Sequence, residues 1–505
     1  MIKDEHRFSS DETELNRLGY RQELARGIKL WSAFSLGVAA ISPVVGIFAV
    51  MSLGLINAGP AWVWVVPIAL ICQITVAAVY AELSSQFPVA GGAYQWVRRL
   101  VGNRLGWFTG YFYIVAVTAA LTTVAYLGGS WLYLLIWGEA PGPAGQVICG
   151  AILLAISLVV NILGVNPLKY IVNAGIIAEA LASVGVGILL IVFFREHSFS
   201  TLWSSMGAPG NASFGAGFLA ALAVGGWAFI GFDSCAQISE ETVNARRDVP
   251  RAILRSITVV GGVVILTAFS VTLSLPDLDG AVRGEVLDPV TTSVVGAFGP
   301  WAERPFVAVV LISFIACVIA IQTYLGRAAF SMGRDNMLPG SKVLRIINGR
   351  KAPLGAIAVV TMLAGFGLLL GLNASAVGTL ITFGTGGFFI IYLLVATSAL
   401  YARLTGRWDP AKGSLALGKW GLVLNVFAVA WLIFETVNIA WPRAVFAPPG
   451  APFIQVWAVV VVFTAAAAIG LAYMIIRRPQ ARIEGSSAFN DVASADATYE
   501  QETAK

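Results

Sequence analysis

Long apolar runs constrain this chain more than any other feature of its sequence. Twelve stretches of about 20 residues or more carry few charges, and each can cross the ~30 Å hydrocarbon core of a bilayer as a helix. None has the alternating apolar and polar residues of a barrel strand. The sequence therefore predicts an all-α integral membrane protein with about twelve transmembrane helices, here called spans 1 to 12. Their expected positions are residues 30–54, 61–83, 105–137, 145–165, 170–194, 214–238, 252–275, 303–330, 354–372, 377–402, 417–436 and 453–476.

The amount and the placement of charge support this assignment. Only 12% of the 505 residues are charged, whereas soluble domains carry about 25%. The net charge of +5 could suggest a nucleic-acid partner, but the basic residues lie between the spans and, with the N-terminus inside, all but four of the 32 Lys and Arg residues fall on one side. We therefore expect a multi-pass protein of the inner or plasma membrane, with cytoplasmic termini and no nucleic-acid partner. The four exceptions are Arg195, Arg283, Arg304 and Arg443.

The segments outside the spans are short and polar. Residues 1–29 are expected to form a cytoplasmic segment without a cleaved signal peptide, residues 30–476 the transmembrane domain, and residues 477–505 a disordered cytoplasmic tail. All four cysteines lie inside apolar runs, where they are expected to be small buried hydrophobes. No cofactor and no metal site is expected. The histidines, His6 and His197, lie outside the spans, so a transmembrane histidine relay is not expected.

Two spans contain residues that interrupt helices. Non-helical backbone inside a bilayer must line a cavity, and broken helices five spans apart are typical of transporters built from two inverted repeats. We therefore expect a 5+5 inverted repeat, at about 30–194 and 214–402, with broken helices 1 and 6 and with helices 11 and 12 added. Close packing also explains Gly and Pro in membrane helices, and for one such residue alone it is the better explanation. The interrupting segments contain Ile41, Ser42, Pro43, Val44 and Gly46 in span 1, and Gly225, Gly226, Trp227, Phe229 and Gly231 in span 6.

These interrupting residues form the expected substrate site. A half-helix that starts at a break directs its positive end at an anionic group, and carbonyls freed at a break accept bonds from an ammonium group. The pair suits a zwitterion such as an amino acid. Spans 3, 8 and 10 are expected to complete the pocket, with Phe383 as a candidate. Trp227 can stack on a substrate cation or close the pocket, although tryptophan in membranes more often packs or anchors at the interface.

Ionisable residues inside spans are costly and usually functional. Glu179 of span 5 and Asp233 of span 6 are the candidates for proton coupling, because a low-dielectric site favours the neutral form of a carboxyl group. Each can instead hold structure, Glu179 by bonding between helices and Asp233 by bonding nearby backbone. Glu82, Glu240 and Glu241 lie at the inner ends of spans. We expect them to pair with loop arginines such as Arg98 or Arg246 as an inner gate or structural lock, and Arg334 is a further candidate for the same gate.

Several segments of the chain match motifs of one known superfamily. They are residues 16–24, 41–47, 82–96, 232–235 with 240–242 and 249–253, and 327–330 with 333–335 and 338–339. Together they resemble the amino acid/choline transporter branch of the amino acid–polyamine–organocation superfamily, over roughly residues 15–480. The resemblance implies the inverted-repeat fold and substrates such as γ-aminobutyrate, other amino acids or choline. The segment around Trp227 is also similar to the corresponding segment of span 6 in the arginine/agmatine exchanger of the same superfamily. This similarity implies that Trp227 gates the substrate.

The chain departs from that superfamily at two positions. Many relatives place a lysine in span 5, whose ammonium replaces a sodium ion, and the resemblance puts Glu179 at that position, with the opposite charge. Span 1 lacks the Gly-x-Gly form that holds an α-carboxylate in relatives. The resemblance thus leaves room for an ω-amino acid or an amine.

The favoured function is secondary active import of an amino acid or related amine, γ-aminobutyrate-like first, coupled to protons or alternatively to sodium, by alternating access. A permease or exchanger for choline, another quaternary amine or a polyamine is the main alternative. A quaternary amine would need an aromatic cage around Trp227 and Phe232. A nutrient sensor is a remote alternative, since sensors usually carry an extra domain or a long tail, whereas the tail expected here, residues 479–505, has 27 residues. An enzyme is not expected, because no His-Glu-x-x-His or Gly-x-Ser-x-Gly motif occurs.

Overall fold

A computed structural model describes residues 11–208, 213–443 and 453–482. Those residues form helices and connecting turns, with no β-strand among them. Eleven helical runs in the described part are long and apolar enough to cross a membrane. The first, Leu30–Gln86, has 57 residues and would extend about 85 Å as one helix, far more than a bilayer needs. It holds two spans that meet at a turn around Gly59, so the described residues contain the twelve predicted spans.

The observed spans agree with the predicted positions to within a few residues at most ends. Span 7 begins seven residues earlier than predicted, because its helix continues beyond the apolar stretch and includes Pro250. The spans are Leu30–Ile41 with Pro43–Ala58, Val65–Gln86, Asn103–Trp137, Pro143–Ile162, Val165–Glu179 with Ala180–Gly185 and Val186–Phe193, Phe214–Gly225 with Gly226–Phe229 and Ser234–Gln237, Ala245–Ser274, Glu303–Arg334, Leu354–Leu368, Ala374–Leu404, Gly421–Ala440 and Ala458–Arg477.

The connections between the spans contain further helices that hydropathy did not predict. Gly92–Leu100 follows span 2, and Leu278–Val282 and Pro289–Phe298 lie between spans 7 and 8. Two single turns, Ser341–Leu344 and Phe453–Val456, precede spans 9 and 12. These helices are too short to cross a bilayer and pack over the ends of the spans.

Burial separates a central group of spans from a peripheral one. Within the most apolar 18-residue stretch, 72–78% of the residues are buried in the first run and in spans 3, 6, 8 and 10. The corresponding fraction is 33–39% for spans 4, 5, 9 and 11, and 17% for span 12. Lipid-facing side chains account for the exposed apolar surface of the second group. The two spans with interrupting residues therefore lie in the centre, beside spans 3, 8 and 10.

The ends of the chain are described only in part. The backbone of the segment 11–29 pairs with the chain after span 6, where the Ile28 amide donates to the Glu241 carbonyl at 2.8 Å. After span 12 a short turn, Pro479–Ala481, is present. The predicted disorder of the tail concerns mostly residues 483–505, which lie outside the described residues.

Candidate functional site

Span 1 is interrupted at one residue, Ser42. Its backbone has φ 48° and ψ 104°, a conformation outside the helical range. The helix before it ends at Ile41, and a new helix starts at Pro43, where a proline fits because the first amide of a helix has no partner within it. The Ser42 hydroxyl accepts a hydrogen bond from the Val45 amide at 3.2 Å and so caps the second half-helix. The break predicted from Pro43 is confirmed.

Span 6 is also interrupted, but later than the paired glycines suggested. Gly225 and Gly226 keep helical backbone, and the chain becomes extended only at Ile230, with φ −88° and ψ 158°. Gly231 then adopts φ +94°, which favours glycine. The glycine pair serves close packing instead, because a Cβ at Gly226 would lie 2.8 Å from the ring of Phe389. The break therefore lies inside the predicted interrupting segment, at Ile230 and Gly231, while the glycine pair at the start of that segment stays helical.

The two breaks face each other. A Cβ added to Gly46 would lie 3.2 Å from the Cα of Ala228, and one added to Gly231 would lie 3.0 Å from the carbonyl oxygen of Ala40. The second half of span 1 therefore packs on the region just before the span 6 break, and the last turn of the first half packs on the break itself. Peptide groups that lack partners within a helix therefore come together where the two breaks meet.

Glu179 joins the span 1 break from the neighbouring span 5. The Ser42 hydroxyl donates to one of its carboxylate oxygens, and the Val44 amide donates to the other at 3.0 Å. The side chain is buried, and a π-helical turn, Ala180–Gly185, follows it directly. Such turns are rare and frequent at functional sites. Glu179 thus holds the start of the second half-helix in place.

Asp233 stabilises the span 6 break in a corresponding way. The Tyr113 hydroxyl donates to its carboxylate at 2.6 Å and the Tyr392 hydroxyl at 2.9 Å. The same Tyr392 oxygen accepts the Gly231 amide at 3.0 Å. Tyr392 of span 10 therefore links the Asp233 carboxylate to Gly231, the residue with positive φ at the break. Among the residues that the structure describes, neither Asp233 nor Glu179 forms an ion pair with Lys or Arg.

A small cavity of about 10 Å³ lies between the breaks, roughly the room that one water molecule needs. Trp227 borders it, and its ring packs so closely on span 10 that a Cβ at Gly384 would lie 3.1 Å from the indole. Spans 3, 8 and 10 contribute to the wall, as the sequence predicts. The lining residues are Ala40, Ile41, Val45, Ala120, Val124, Trp227, Ile230, Gly231, Cys317, Ile321, Tyr324 and Phe388.

Several predicted site residues do not line this cavity. Phe383 packs against Phe463 of span 12, with ring centroids 5.1 Å apart, and Phe388 takes the place expected for it. Phe232, which was considered for an aromatic cage with Trp227, packs on Tyr392 instead. The aromatic residues that line the cavity are Trp227, Tyr324 and Phe388. Ser42, Pro43, Val44, Gly46, Gly225, Gly226 and Phe229 are buried around the breaks without lining the cavity. Sequence reasoning missed Tyr324 and Phe388, because aromatic residues in apolar spans carry no local signal of their orientation.

Three carboxylates close the face of the molecule on which the segment 11–29 lies, called the N-terminal face below. Arg334 donates to both oxygens of Glu240 at 2.8 and 3.0 Å, and Arg327 donates to both oxygens of Glu241 at 3.0 Å. Glu82 pairs with Arg403 of span 10. These pairs connect spans 2 and 6 to spans 8 and 10. The carboxylates do pair with arginines, but only Arg334 was among the partners predicted.

The two other arginines named from the sequence pair elsewhere. Arg98 lies 3.6 Å from Asp335, and Arg246 lies 3.4 Å from Glu14 of the N-terminal segment. Asp335 also accepts bonds from the hydroxyls of Tyr20 and Tyr94, at 2.8 and 2.7 Å. The expectation that Arg98 or Arg246 holds Glu82, Glu240 or Glu241 was therefore wrong. These pairs join residues more than 200 positions apart, and only the folded chain determines them.

A second cavity, of about 130 Å³, lies toward the opposite face. Its wall comes from the second half of span 1, the C-terminal part of span 3, Phe314 of span 8, and the segment between spans 7 and 8. This cavity is larger than the one between the breaks, whereas ion pairs lie on the N-terminal face. The lining residues are Phe48, Met51, Leu127, Ser130, Trp131, Leu287, Asp288, Pro289, Val290 and Phe314.

Comparison with known protein families shows to which family this chain belongs. The sequence profile of the family described as amino acid permease matches residues 28–475, which include both breaks, spans 1 to 11 and all but the last two residues of span 12. The chain belongs to the amino acid permease family. This places it in the amino acid–polyamine–organocation superfamily that its motifs resemble, and among transporters rather than enzymes.

Individual relatives of this amino acid permease are distant but match over most of their length. An uncharacterized amino-acid permease of Schizosaccharomyces pombe is 25% identical, over 86% of this chain and 81% of the relative. The amino-acid permease BAT1 of Arabidopsis thaliana is 24% identical, over 86% and 89%. A choline transporter of Saccharomyces cerevisiae is 24% identical, over 83% and 76%. The chain is thus similar to permeases of two substrate classes, amino acids and choline.

Proposed function

We propose that this permease is a secondary transporter that imports a small amino acid or related amine by alternating access, with a proton as the coupling ion. The observation that carries the proposal is the meeting of two broken spans at a cavity bordered by Trp227. Peptide groups exposed at such breaks can hold a charged solute inside a membrane, where few other polar groups are available. Trp227, which packs on Gly384 beside that cavity, is the proposed gate.

Two buried carboxyl groups support proton coupling. Glu179 and Asp233 each contact one break, and neither has a basic partner among the described residues. A carboxyl group without a counter-charge in a low-dielectric site is favoured when it is neutral. Proton binding at either group would change the hydrogen bonds that hold the half-helices, and this links the protonation state to the conformation of the breaks.

The orientation proposed for the protein follows from its basic residues. The N-terminal face carries nearly all of the Lys and Arg residues between spans, so we place it in the cytoplasm by the positive-inside rule. The ion pairs of Glu240, Glu241 and Glu82 then form the inner gate. The larger cavity on the opposite face is the path by which a solute enters from outside.

Uptake into proteoliposomes tests the proposal. Labelled amino acids, γ-aminobutyrate and choline are supplied outside, with and without an imposed pH gradient that is acidic outside. Uptake of at least one solute is expected to rise with the gradient, and Glu179→Gln is expected to lose that response. Glu435→Gln is the matched control, since Glu435 is a buried carboxyl of span 11 that bonds Asn438 away from both breaks.

Four outcomes would count against the proposal. Uptake that ignores the pH gradient would exclude proton coupling, and an equal loss in both glutamine variants would remove the special role of Glu179. Counterflow of labelled solute without any gradient would favour exchange, the main alternative mechanism. No uptake of any solute in the panel would contradict transport itself.

The second candidate function is transport of choline or another quaternary amine. The observation that favours it is the aromatic wall of Trp227, Tyr324 and Phe388 around the cavity between the breaks, since aromatic faces attract organic cations. The similarity to a choline transporter agrees with this candidate. The same uptake panel distinguishes it from transport of amino acids.

A further inference from the structure

The amide groups at the start of the second half of span 1 are already used within the chain. Pro43 has no N–H, the Val44 amide donates to Glu179 at 3.0 Å, and the Val45 amide donates to the Ser42 hydroxyl at 3.2 Å. The Gly46 amide donates to the Ser42 carbonyl at 2.8 Å. A half-helix that binds a substrate carboxylate does so with these first amides. Here they have no bond left to give.

Glu179 occupies the place that such a carboxylate would take. Its two oxygens accept the Ser42 hydroxyl and the Val44 amide, and the side chain is buried at 4% exposure. A second carboxylate brought to the same half-helix would find these donors occupied, and it would also meet a like charge whenever Glu179 is ionised. The chain thus supplies its own carboxyl group to the positive end of this helix.

The carbonyl groups at the end of the first half of span 1 differ from these amides, because they lack the helical partners that would use them. In a continuous helix, the carbonyls of Ala39, Ala40 and Ile41 would accept the amides four residues later. Residue 43 is a proline without an amide, and the amides of Val44 and Val45 are diverted to side chains. Ala40 and Ile41 line the cavity. The Ala40 carbonyl accepts only a long contact from the Cys317 thiol, at 3.9 Å. The break therefore offers carbonyl acceptors to a solute, whereas its first amides are used.

Charge and aromatic surface at the site favour the same kind of solute. The two carboxyl groups, Glu179 and Asp233, form no ion pair with Lys or Arg in the described part of the chain. The aromatic rings of Trp227, Tyr324 and Phe388 border the cavity between the breaks, and such rings attract ammonium groups. A cation can satisfy these groups, whereas a carboxylate finds no basic side chain in the lining of the cavity and no free amide at the start of the second half-helix.

We propose that the site selects an organic ammonium ion that carries no carboxylate, and that Glu179 excludes amino acids by occupying the amides their carboxylate would need. The inference rests on the proposed transport function and narrows its substrate class. It departs from the preference for γ-aminobutyrate that the sequence suggests, because that solute carries a carboxylate at the end opposite its amine.

Matched solutes test the inference by equilibrium binding to the purified, detergent-solubilised protein. Choline and glycine betaine differ in a CH₂OH group against a carboxylate, and 4-aminobutanol and γ-aminobutyrate differ in the same way. The cation of at least one pair is expected to bind about tenfold or more tightly than its zwitterion. Tighter or equal binding of the zwitterions overturns the inference and leaves the transport function standing.

The variant Glu179→Gln tests the role of the carboxylate itself. Glutamine keeps the size of the side chain and one acceptor oxygen but removes the charge, so discrimination within a pair is expected to shrink about tenfold. An unchanged ratio overturns the role of Glu179, and Glu435→Gln is the control, expected to keep the wild-type ratio. Binding of amino acids from a wider panel without binding of either cation also overturns the inference. If no solute of the panel binds or is transported, the proposed function fails, and the inference fails with it.

Discussion

The guanidinium of Arg334 donates to both carboxylate oxygens of Glu240, at 2.8 and 3.0 Å, and so joins the end of span 8 to the chain after the span 6 break. Glu240 is fully buried and Arg334 is 10% exposed. The Ala90 amide adds a third bond to the same carboxylate at 3.1 Å. Three segments of the N-terminal face therefore meet at one side chain, and the proposed alternating access requires them to separate when a solute leaves on that face.

Replacing Glu240 by Gln is expected to open the N-terminal face more often. Removing one charge of a buried pair leaves the other uncompensated, at a cost of about 3 kcal/mol to the closed arrangement. Cys317 lines the cavity beyond this gate and is buried, so its alkylation by a membrane-permeant maleimide reports opening. Mass spectrometry of the Cys317 peptide is expected to show alkylation faster by about tenfold or more in the variant.

The exposed pair of Arg283 and Glu285 provides the control for this prediction. Both side chains are about 60% exposed on the opposite side of the breaks, and exposed pairs contribute little. Glu285→Gln is expected to leave the Cys317 rate unchanged. Slow alkylation of Cys317 in Glu240→Gln would show that this ion pair does not hold the gate closed.

Removing the Tyr392 hydroxyl is expected to reduce transport while the protein still folds. Tyr392→Phe takes a donor from Asp233 and the acceptor from the Gly231 amide, and a buried polar group left without a partner costs ~1–3 kcal/mol. Initial uptake rates are expected to fall about tenfold. Tyr111→Phe loses a comparable bond, to the Ala466 carbonyl outside the site, and should transport normally. Equal effects of the two variants would contradict a role specific to the span 6 break.

The sequence predicts the spans well because their signal is local. Hydropathy over about 20 residues is enough to place each span, and Pro43 marks the span 1 break since a proline cannot continue a hydrogen-bonded helix. The span 6 break was predicted within a segment that contains Gly225, Gly226 and Gly231, but the sequence did not show which of these glycines leaves the helix. Glycine tolerates helical backbone, and the decisive feature is the positive φ of Gly231, which depends on Tyr392 of span 10.

The sequence identifies the polar residues of the site by their type, but it does not identify their partners. Glu179 stands out as a buried charge in the sequence, but its partner Ser42 lies 137 positions earlier. Glu82, Glu240 and Glu241 were predicted to pair with arginines, yet Glu241 and Glu82 pair with Arg327 and Arg403, which were not predicted as their partners. Which basic residue reaches which carboxylate depends on how the spans pack, and this is a property of the folded chain.

Gly46→Ala is expected to impair transport through packing between the two breaks. The new Cβ would lie 3.2 Å from the Cα of Ala228, closer than most real contacts, so one of the two broken spans must shift. Substitutions that overpack a core cost about 1–3 kcal/mol, and uptake is expected to fall several-fold at normal protein levels. Gly365→Ala in span 9 is the control, because its Cβ would meet open space. Normal uptake by Gly46→Ala would show that the breaks tolerate separation.

Tyr20→Phe is expected to loosen the N-terminal segment from the gate. The Tyr20 hydroxyl donates to Asp335 at 2.8 Å, and the Arg334 guanidinium lies 3.9 Å from the centre of its ring. A hydrogen bond to a charged group contributes about 1.5–3 kcal/mol. Limited proteolysis with trypsin after Arg17 and Arg21 is expected to be about tenfold faster in the variant. Tyr133→Phe, at the far end of span 3, should leave the rate unchanged.

The same contact predicts how the N-terminal segment responds to pH. Burial, reinforced by the charge of Asp335, raises the pKa of Tyr20 from 10.0 to about 12. The protonated phenol is therefore favoured in the folded state, and its contribution is complete below about pH 10 and is lost as the pH rises through 12. Protection of the segment from a protease that remains active over this range is expected to be constant from about pH 6 to 9 and to weaken only above that. Loss of protection near neutral pH would show that another group, and not the Tyr20 phenol, holds the segment in place.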